Sequence, residues 1–398
     1  MKDSEIASHK NIVFVIPSLD YGGAETMLIH QINYLHEKGY QIRLIIMGRS
    51  TEYALIDQLQ ISEKSILQLG LPVQILTFRA IRYTFLKGLV ISKYLKKWQA
   101  SVVIANLPLA HFQMRVVKLL DRLKGRRYQL VNYHHSLQYA ANPLDTFPKR
   151  IFNSINSFLA RITDDKSIFI SDAVRKNVTS HFFINKNSVV IPNAIPERNI
   201  NEKEGLNYLK KVGVDLDTYK ILVLPGRIHT VKGHYFFLDA YRKLIDQNPL
   251  IGSKFKVIIA GGGLYHEHFE NLVHQYGLAN NLIISGVIRN NLLLSLFKLA
   301  YLVVIPSLSE GFGNVAIEGL MQQSRMLVSD AGGLDEIIVH KYNGYKFNSN
   351  DSKDFITKLE YLLSENCKFC PDTEVLIASF RKNYTLPAQM VQITEFLR

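Results

Sequence analysis

The side chains best suited to chemistry in this sequence cluster in a few short stretches. The densest is Pro306-Ser307-Leu308-Ser309-Glu310-Gly311-Phe312-Gly313-Asn314-Val315-Ala316-Ile317-Glu318-Gly319. A strand ending at Pro306 and a glycine-flanked turn would expose Glu310, with Glu318 falling about two turns into the following helix. Two carboxylates at the mouth of one pocket can divide the work between a sugar hydroxyl and a ribose diol, because ionised carboxylates accept hydrogen bonds from paired hydroxyls. Gly226-Arg227-Ile228-His229-Thr230-Val231-Lys232-Gly233 sets a planar guanidinium fork and a mobile ammonium beside a helix start. That arrangement suits a diphosphate. It is not a P-loop, since the glycine spacing and the Lys-Ser/Thr ending are missing.

Two further glycine clusters are weaker signals. In Asp20-Tyr21-Gly22-Gly23-Ala24-Glu25 the paired glycines would let backbone amides approach an anion at a helix N-terminus. The same glycines can equally well just reverse the chain. Gly261-Gly262-Gly263 resembles a dinucleotide loop only loosely, and the full Gly-x-Gly-x-x-Gly fingerprint is missing at the first strand, which counts against a nicotinamide enzyme. The two cysteines, Cys367 and Cys370, supply half of a four-ligand zinc site and no disulfide framework. They read as ordinary thiols, and neither a metal nor a cofactor is expected.

The elements that must position these residues alternate between apolar runs and helical periodicity, the pattern of parallel sheets with crossover helices. Strands are expected at Asn11 to Ile16, Gln41 to Met47, Val102 to Ala105, Gln129 to Tyr133, Ser167 to Ile170 and Ser188 to Ile191. A second series is expected at Lys220 to Leu224, Lys256 to Ala260, Leu282 to Ser285, Leu302 to Ile305 and Met326 to Ser329. Between them lies Pro192-Asn193-Ala194-Ile195-Pro196 and a polar stretch, a composition typical of linkers. The expected fold class is therefore α/β, with two doubly wound parallel-sheet domains over 1–195 and 196–384. An amphipathic helix at the C-terminus, within 385–398, is free to cross back onto the first. At 398 residues the chain has length enough for two cores.

Charge is unevenly distributed. Residues 1 to 200 hold 26 Lys and Arg against 14 Asp and Glu, whereas the rest hold 21 against 20. From Lys64 to Leu120 no acid occurs, while Arg79, Arg82, Lys87, Lys93, Lys96, Lys97, Arg115 and Lys118 accumulate beside aromatic residues. Read as a helix, residues 84 to 97 flank an apolar side with lysines, as interfacial helices do. No nucleic-acid module is recognisable, so an anionic membrane or acidic acceptor is the expected partner of residues 64–120. The longest uncharged run, Trp98 to Met114, is interrupted by Gln99, Asn106, Pro108 and His111 and would span a membrane poorly. The first residues lack the basic-then-apolar order of a secretory signal. The expected location is the cytoplasm, in peripheral contact with the inner face of the cell membrane.

Taken together, Gly22-Gly23, Ser171, Asn193, Gly226-Arg227, Lys232-Gly233, Glu310-Gly311-Phe312-Gly313-Asn314, Glu318 and Gly332-Gly333 resemble the retaining nucleotide-sugar glycosyltransferases of family 4, of the group 1 type. The resemblance implies the GT-B fold of two facing Rossmann-like domains, with the acceptor on the first and the donor on the second. It implies that Arg227 and Lys232 hold the donor diphosphate, that Glu310 faces the donor sugar and that Glu318 takes the ribose hydroxyls. The backbone from Phe312 through Gly313 and Asn314 to Val315, together with Gly226, Gly22 and Gly23, would complete the donor site. The family's strand-end histidine matches His134 in Val131-Asn132-Tyr133-His134-His135-Ser136, with His135 as its rival. It further implies transfer from a nucleoside-diphosphate sugar, UDP foremost, without a metal, to a saccharide or lipid-linked acceptor in cell-surface polysaccharide or lipopolysaccharide assembly. A nucleotide-sugar epimerase or hydrolase of the same fold, or a non-catalytic nucleotide-sugar binding protein, is the alternative.

Overall fold

The computed structural model describes residues 11–20, 22–48, 53–70 and 78–398; Tyr21 and the side chain of Arg79 lie outside them. The chain divides into two units, residues 1–195 with 386–398, and residues 196–385.

The amino-terminal unit is built on a parallel sheet of β1 (Asn11–Ile16), β2 (Gln41–Ile46), β3 (Ile66–Gln68), β4 (Val102–Asn106), β5 (Gln129–His134), β6 (Lys166–Phe169) and β7 (Ser188–Val190). Their spatial order is β3-β2-β1-β4-β5-β6-β7. The central strands read as continuous apolar runs because helices cover both faces of a parallel sheet. Phe14 of β1, for example, lies in register between Leu44 and Ile104 and is buried. On one side Ile91, Leu95, Ala110, Met114 and Val117 close a core against Val13, Val15 and Val103. The C-terminal helix, Leu386–Leu397, packs on the helix Gly23–Glu37 of this unit. Its Gln389 donates to the Pro192 carbonyl at 2.7 Å and accepts from Gln31 at 3.1 Å.

The carboxy-terminal unit holds β8 (Lys220–Pro225), β9 (Phe255–Ala260), β10 (Leu282–Ile284), β11 (Leu302–Ile305), β12 (Met326–Ser329) and β13 (Tyr345–Phe347). All pairings are parallel, in the order β10-β9-β8-β11-β12-β13. The direction of winding reverses between β8 and β11, and in open α/β sheets the crevice beyond that reversal is where ligands sit. Leu222, Leu224, Val257, Ile259 and Val304 form the sheet side of a core closed by Phe237, Tyr241, Phe269 and Phe355.

Two strands, β3 and β13, are absent from the sequence-based expectation. Each is a three-residue edge strand like β7 and β10, but where those carry the apolar runs Val189-Val190-Ile191 and Leu282-Ile283-Ile284, β3 and β13 are interrupted by Gln68 and Lys346. Among the described residues no helix is long and apolar enough to cross a membrane.

Candidate functional site

The loops that follow β8 and β11 meet at the winding reversal of the carboxy-terminal unit. After β8, His229 caps a single 3₁₀ turn, Thr230–Lys232, by accepting from the Val231 amide at 3.3 Å. Gly233 then takes φ +73 and opens the helix His234–Gln247. A side chain at Gly233 would run into the Pro306 carbonyl, so only glycine lets the two loops approach this closely. The Val231 carbonyl accepts from Leu308 at 2.8 Å and from Ser309 at 3.3 Å, fastening the β11 loop to the turn that carries Lys232. From the far side, Gly333 donates to the Glu310 carbonyl at 3.1 Å, and a side chain there would strike the Phe312 backbone.

These constraints place the Lys232 Nζ 2.5 Å from Glu310 Oε2, with Ser307 Oγ donating to the same oxygen at 3.4 Å. Both members of the ion pair are partly exposed. Arg227 lies in the same loop, exposed, and makes no ion pair among the described residues. Gly313, at φ +109, precedes the helix Asn314–Met321 and its carbonyl accepts from the Ala316 amide at 2.8 Å, so the helix's positive dipole end opens at this loop. Phe312 is buried with its ring 6.0 Å from that of Tyr384, so the residue offers its backbone rather than its side chain. Glu318, partway along this helix, accepts from Asn290 Nδ2 at 3.0 Å. Burial pushes its carboxyl up to about 7, against the lowering effects of Asn290 and Arg198. Beneath the loop His234 is fully buried, and burial, with the Lys232 charge, holds it down at about 4.

Gly226, Arg227, Lys232, Glu310, Phe312, Gly313, Asn314, Val315 and Glu318 are thus gathered in the carboxy-terminal unit, whereas Gly22, Gly23 and His134 belong to the other. Gly22 is the extended N-cap of Gly23–Glu37, with the Glu25 carboxyl folded against it. An acid therefore sits beside the anion-binding position expected there. The two histidines at the end of β5 point to opposite faces, as strand alternation demands. His134 is 4 % exposed, its ring 4.6 Å from those of both His111 and Phe169, and burial pushes it down to about 3. It is an interior residue. His135 is half-buried and lies 2.9 Å from Asn106 Oδ1, at the ends of β4 and β5, beside the reversal of the first sheet. Burial pushes it, too, down to about 3, and its Nδ1 is buried without a hydrogen-bond partner, so it is only the less deeply buried of the two.

Sequence reasoning did not single out His229, Asn290, Arg198 or Ser307. A polar Arg289-Asn290-Asn291 run, three residues after the expected strand Leu282 to Ser285, was the available signal for Asn290. Among the described residues no three His, Cys, Asp or Glu side chains come together in a way that could hold a metal ion. Cys367 and Cys370 are both unbridged, and Cys367 accepts from Arg325 at 2.7 Å.

Comparison with known proteins follows the same division of the chain. Residues 21–198 match the model of Glycosyltransferase Family 4, and residues 209–378 match that of Glycosyl transferases group 1. An uncharacterised glycosyltransferase of Methanocaldococcus jannaschii is 31 % identical over 192 residues, covering 47 % of this chain and 48 % of its own. The chain therefore matches about half the length of that curated relative. A crystal structure of Anabaena HepE in complex with UDP and glucose superimposes with a TM-score of 0.78 at 17 % identity, over 98 % of this chain and 99 % of that one. The lipopolysaccharide outer core galactosyltransferase WaaB does so with a TM-score of 0.71 at 13 % identity, over 97 % and 99 %. The two models together account for most of the chain, each unit being similar to glycosyltransferases of its type, and the fold is that of the GT-B glycosyltransferase structures.

Proposed function

We propose that this chain transfers a glycosyl group from a nucleoside-diphosphate sugar, with UDP as the nucleotide, to a saccharide or lipid-linked acceptor used in building a cell-surface polysaccharide. The observation that carries this reading is the Lys232–Glu310 pair at the winding reversal of the second sheet, with Arg227 exposed in the same loop as Lys232. When the bond from the anomeric carbon to the donor phosphate breaks, the electron pair leaves with the diphosphate, and preorganised cations stabilise the charge that develops. Arg227 and Lys232 supply two. Glu310, released from Lys232 as that cation turns to phosphate, accepts from a donor-sugar hydroxyl. The amides of Asn314 and Val315 add the helix N-terminus as an anion site. The Glu318 carboxylate takes the ribose hydroxyls.

The binding of UDP and glucose by HepE, which shares the fold, supports the choice of nucleotide. The role of WaaB supports the choice of pathway. Retention of anomeric configuration and independence of metal belong to the same proposal, the second because two protein cations already face the leaving group. The amino-terminal unit takes the acceptor, at the inner face of the cell membrane. Purified protein is expected to melt at higher temperature with UDP than with buffer, the shift growing with concentration. Transfer from a UDP-sugar should survive EDTA. No shift with UDP, GDP or ADP would remove the donor assignment, and activity lost to EDTA and restored by manganese would remove metal independence.

A further inference from the structure

Three helices of the amino-terminal unit lie side by side, Phe78–Lys97 on Leu107–Leu123 and Leu107–Leu123 on Phe147–Thr163. The last of these leaves an apolar stripe facing water in addition to the face it packs inward. Its buried residues are Asn156, Ala160 and Thr163, and Asn156 is there to accept from the interior guanidinium of Arg115 at 2.7 Å. Phe152 and Leu159 are half-buried, Phe152 with its ring 4.9 Å from that of Phe112, but the other large apolar side chains face outward. Phe147, Ile151, Ile155, Phe158 and Ile162 recur at spacings of three and four, so they share one stripe, and they are 37 to 74 % exposed.

The charge around this stripe is of one sign. No acid occurs from Thr146 to Thr163, and the bordering acids are taken by the unit's own cations. Asp145 pairs with Lys149 at 2.8 Å, Asp164 with Arg115 at 2.8 Å, and Asp165 with Lys118 and, at 3.8 Å, with Arg122. Arg150 and Arg161 remain exposed beside the apolar residues. Arg122 donates to the Ile162 carbonyl, which brings the end of the neighbouring helix to the stripe and adds Leu123, 81 % exposed, with Lys124 and Arg127 beyond.

We propose that Phe147–Thr163 docks in the plane of an anionic phospholipid bilayer, its aromatic and isoleucine side chains entering the acyl boundary while Arg150 and Arg161 meet lipid phosphates. An apolar stripe rimmed by cations is what the boundary between headgroups and chains selects. A second copy of the chain fits less well, since a two-fold contact would set these arginines against their own counterparts with no acid to answer them. The basic stretch expected from the sequence contributes less than its count suggests. Lys87, Arg115 and Lys118 are buried, leaving Arg82, Lys93, Lys96 and Lys97 to add a secondary contact from the outer layer of Phe78–Lys97. This deepens the proposed use of a membrane-borne acceptor, and vesicle binding is measured without donor so that either reading can fail alone.

The test is sedimentation of the full chain with phosphatidylcholine vesicles, with and without phosphatidylglycerol, at low and high salt. Wild type should pellet with phosphatidylglycerol vesicles, much less with phosphatidylcholine alone, and less again at high salt. The double variant Phe147→Ser, Phe158→Ser should lose at least about tenfold in partitioning at unchanged melting temperature, since both side chains are exposed. Arg150→Gln with Arg161→Gln should reduce binding to the anionic vesicles and weaken its salt dependence. Phe158→Trp should gain fluorescence quenching by acyl-brominated lipid relative to wild type, whose one tryptophan, Trp98, is half-buried against the core. Equal pelleting with both vesicle types, no pelleting, or an unaffected serine variant would overturn the proposal. So would a concentration-dependent dimer abolished by Phe158→Ser without any lipid binding.

Discussion

Lys232 and Glu310 hold each other 2.5 Å apart while Arg227 stands exposed in the same loop, so their truncations should behave differently. Arg227→Ala removes a cation without orphaning a partner. It is expected to lower kcat/KM by about 100-fold or more with the melting temperature unchanged, as loss of one preorganised donor at a developing charge does. Lys232→Ala should cost similar activity and in addition about 1 kcal/mol of stability, because Glu310 keeps only the 3.4 Å contact from Ser307. Paired melts and steady-state rates check both, and a fully active Arg227→Ala would rule out its part in holding the diphosphate. Glu318 offers a pH test. Its carboxyl titrates near 7 in the folded protein against 4.5 in the unfolded chain, so between these values the native state holds a proton that the unfolded state has lost. Stability must therefore fall as pH rises through that window. Glu318→Gln should flatten this dependence and gain roughly 1–2 kcal/mol at pH 8, after allowance for the residue's partial exposure. If the carboxylate takes the ribose hydroxyls, wild-type nucleotide affinity rises with pH through about 7 and the variant's does not; titrations at pH 6 and 8 read this directly.

At the scale of elements, Gly233 and Gly39 make a controlled comparison. Both have positive φ, +73 and +83, but a side chain at Gly233 meets the Pro306 carbonyl while one at Gly39 meets nothing within 4 Å. Gly39→Ala is expected to cost about 1 kcal/mol through backbone strain alone. Gly233→Ala should cost clearly more and also raise KM for the donor, because it levers Lys232 away from the β11 loop. Equal costs measured by urea denaturation would contradict the close approach. The long buried strands were legible in the sequence because parallel strands covered on both faces leave continuous apolar runs, as in β1 and β8. Edge strands β3 and β13 were not, because a polar residue, Gln68 or Lys346, breaks the apolar run that the equally short β7 and β10 keep. Residues of the donor loops were legible one loop at a time. The Lys232–Glu310 contact spans 78 positions, and nothing local in either stretch encodes it. The two adjacent histidines likewise differ only by the face of β5 on which alternation puts them, and periodicity cannot say which face is buried deeper. The apolar stripe of Phe147–Thr163 was concealed for a related reason: its spacing is that of an ordinary amphipathic helix, and only the packing of Asn156 and Thr163 inward shows that the stripe faces out.

For the whole molecule, the chain's return at Leu386 sets a last expectation. The final helix leaves the second unit and completes the first, burying Leu386, Met390, Ile393 and Leu397 there. Gln389, fully buried, donates to the Pro192 carbonyl and the Tyr133 hydroxyl and accepts from Gln31, itself 1 % exposed. Ending the chain at Thr385 removes four apolar side chains, each contributing on the order of 1.5–3 kcal/mol when fully buried. It also leaves the Gln31 amide without its acceptor in a dry interior, which adds to the loss. The amino-terminal unit should therefore unfold at markedly lower temperature. The carboxy-terminal unit loses no core residue and keeps Arg227, Lys232, Glu310 and Glu318. Calorimetry of the shortened chain is expected to show one transition moved down and a second near its wild-type position, with UDP raising only the second. A single cooperative transition that UDP raises as a whole would mean that the two units do not unfold independently. Loss of the UDP response would place part of the nucleotide site in the unit that the final helix supports.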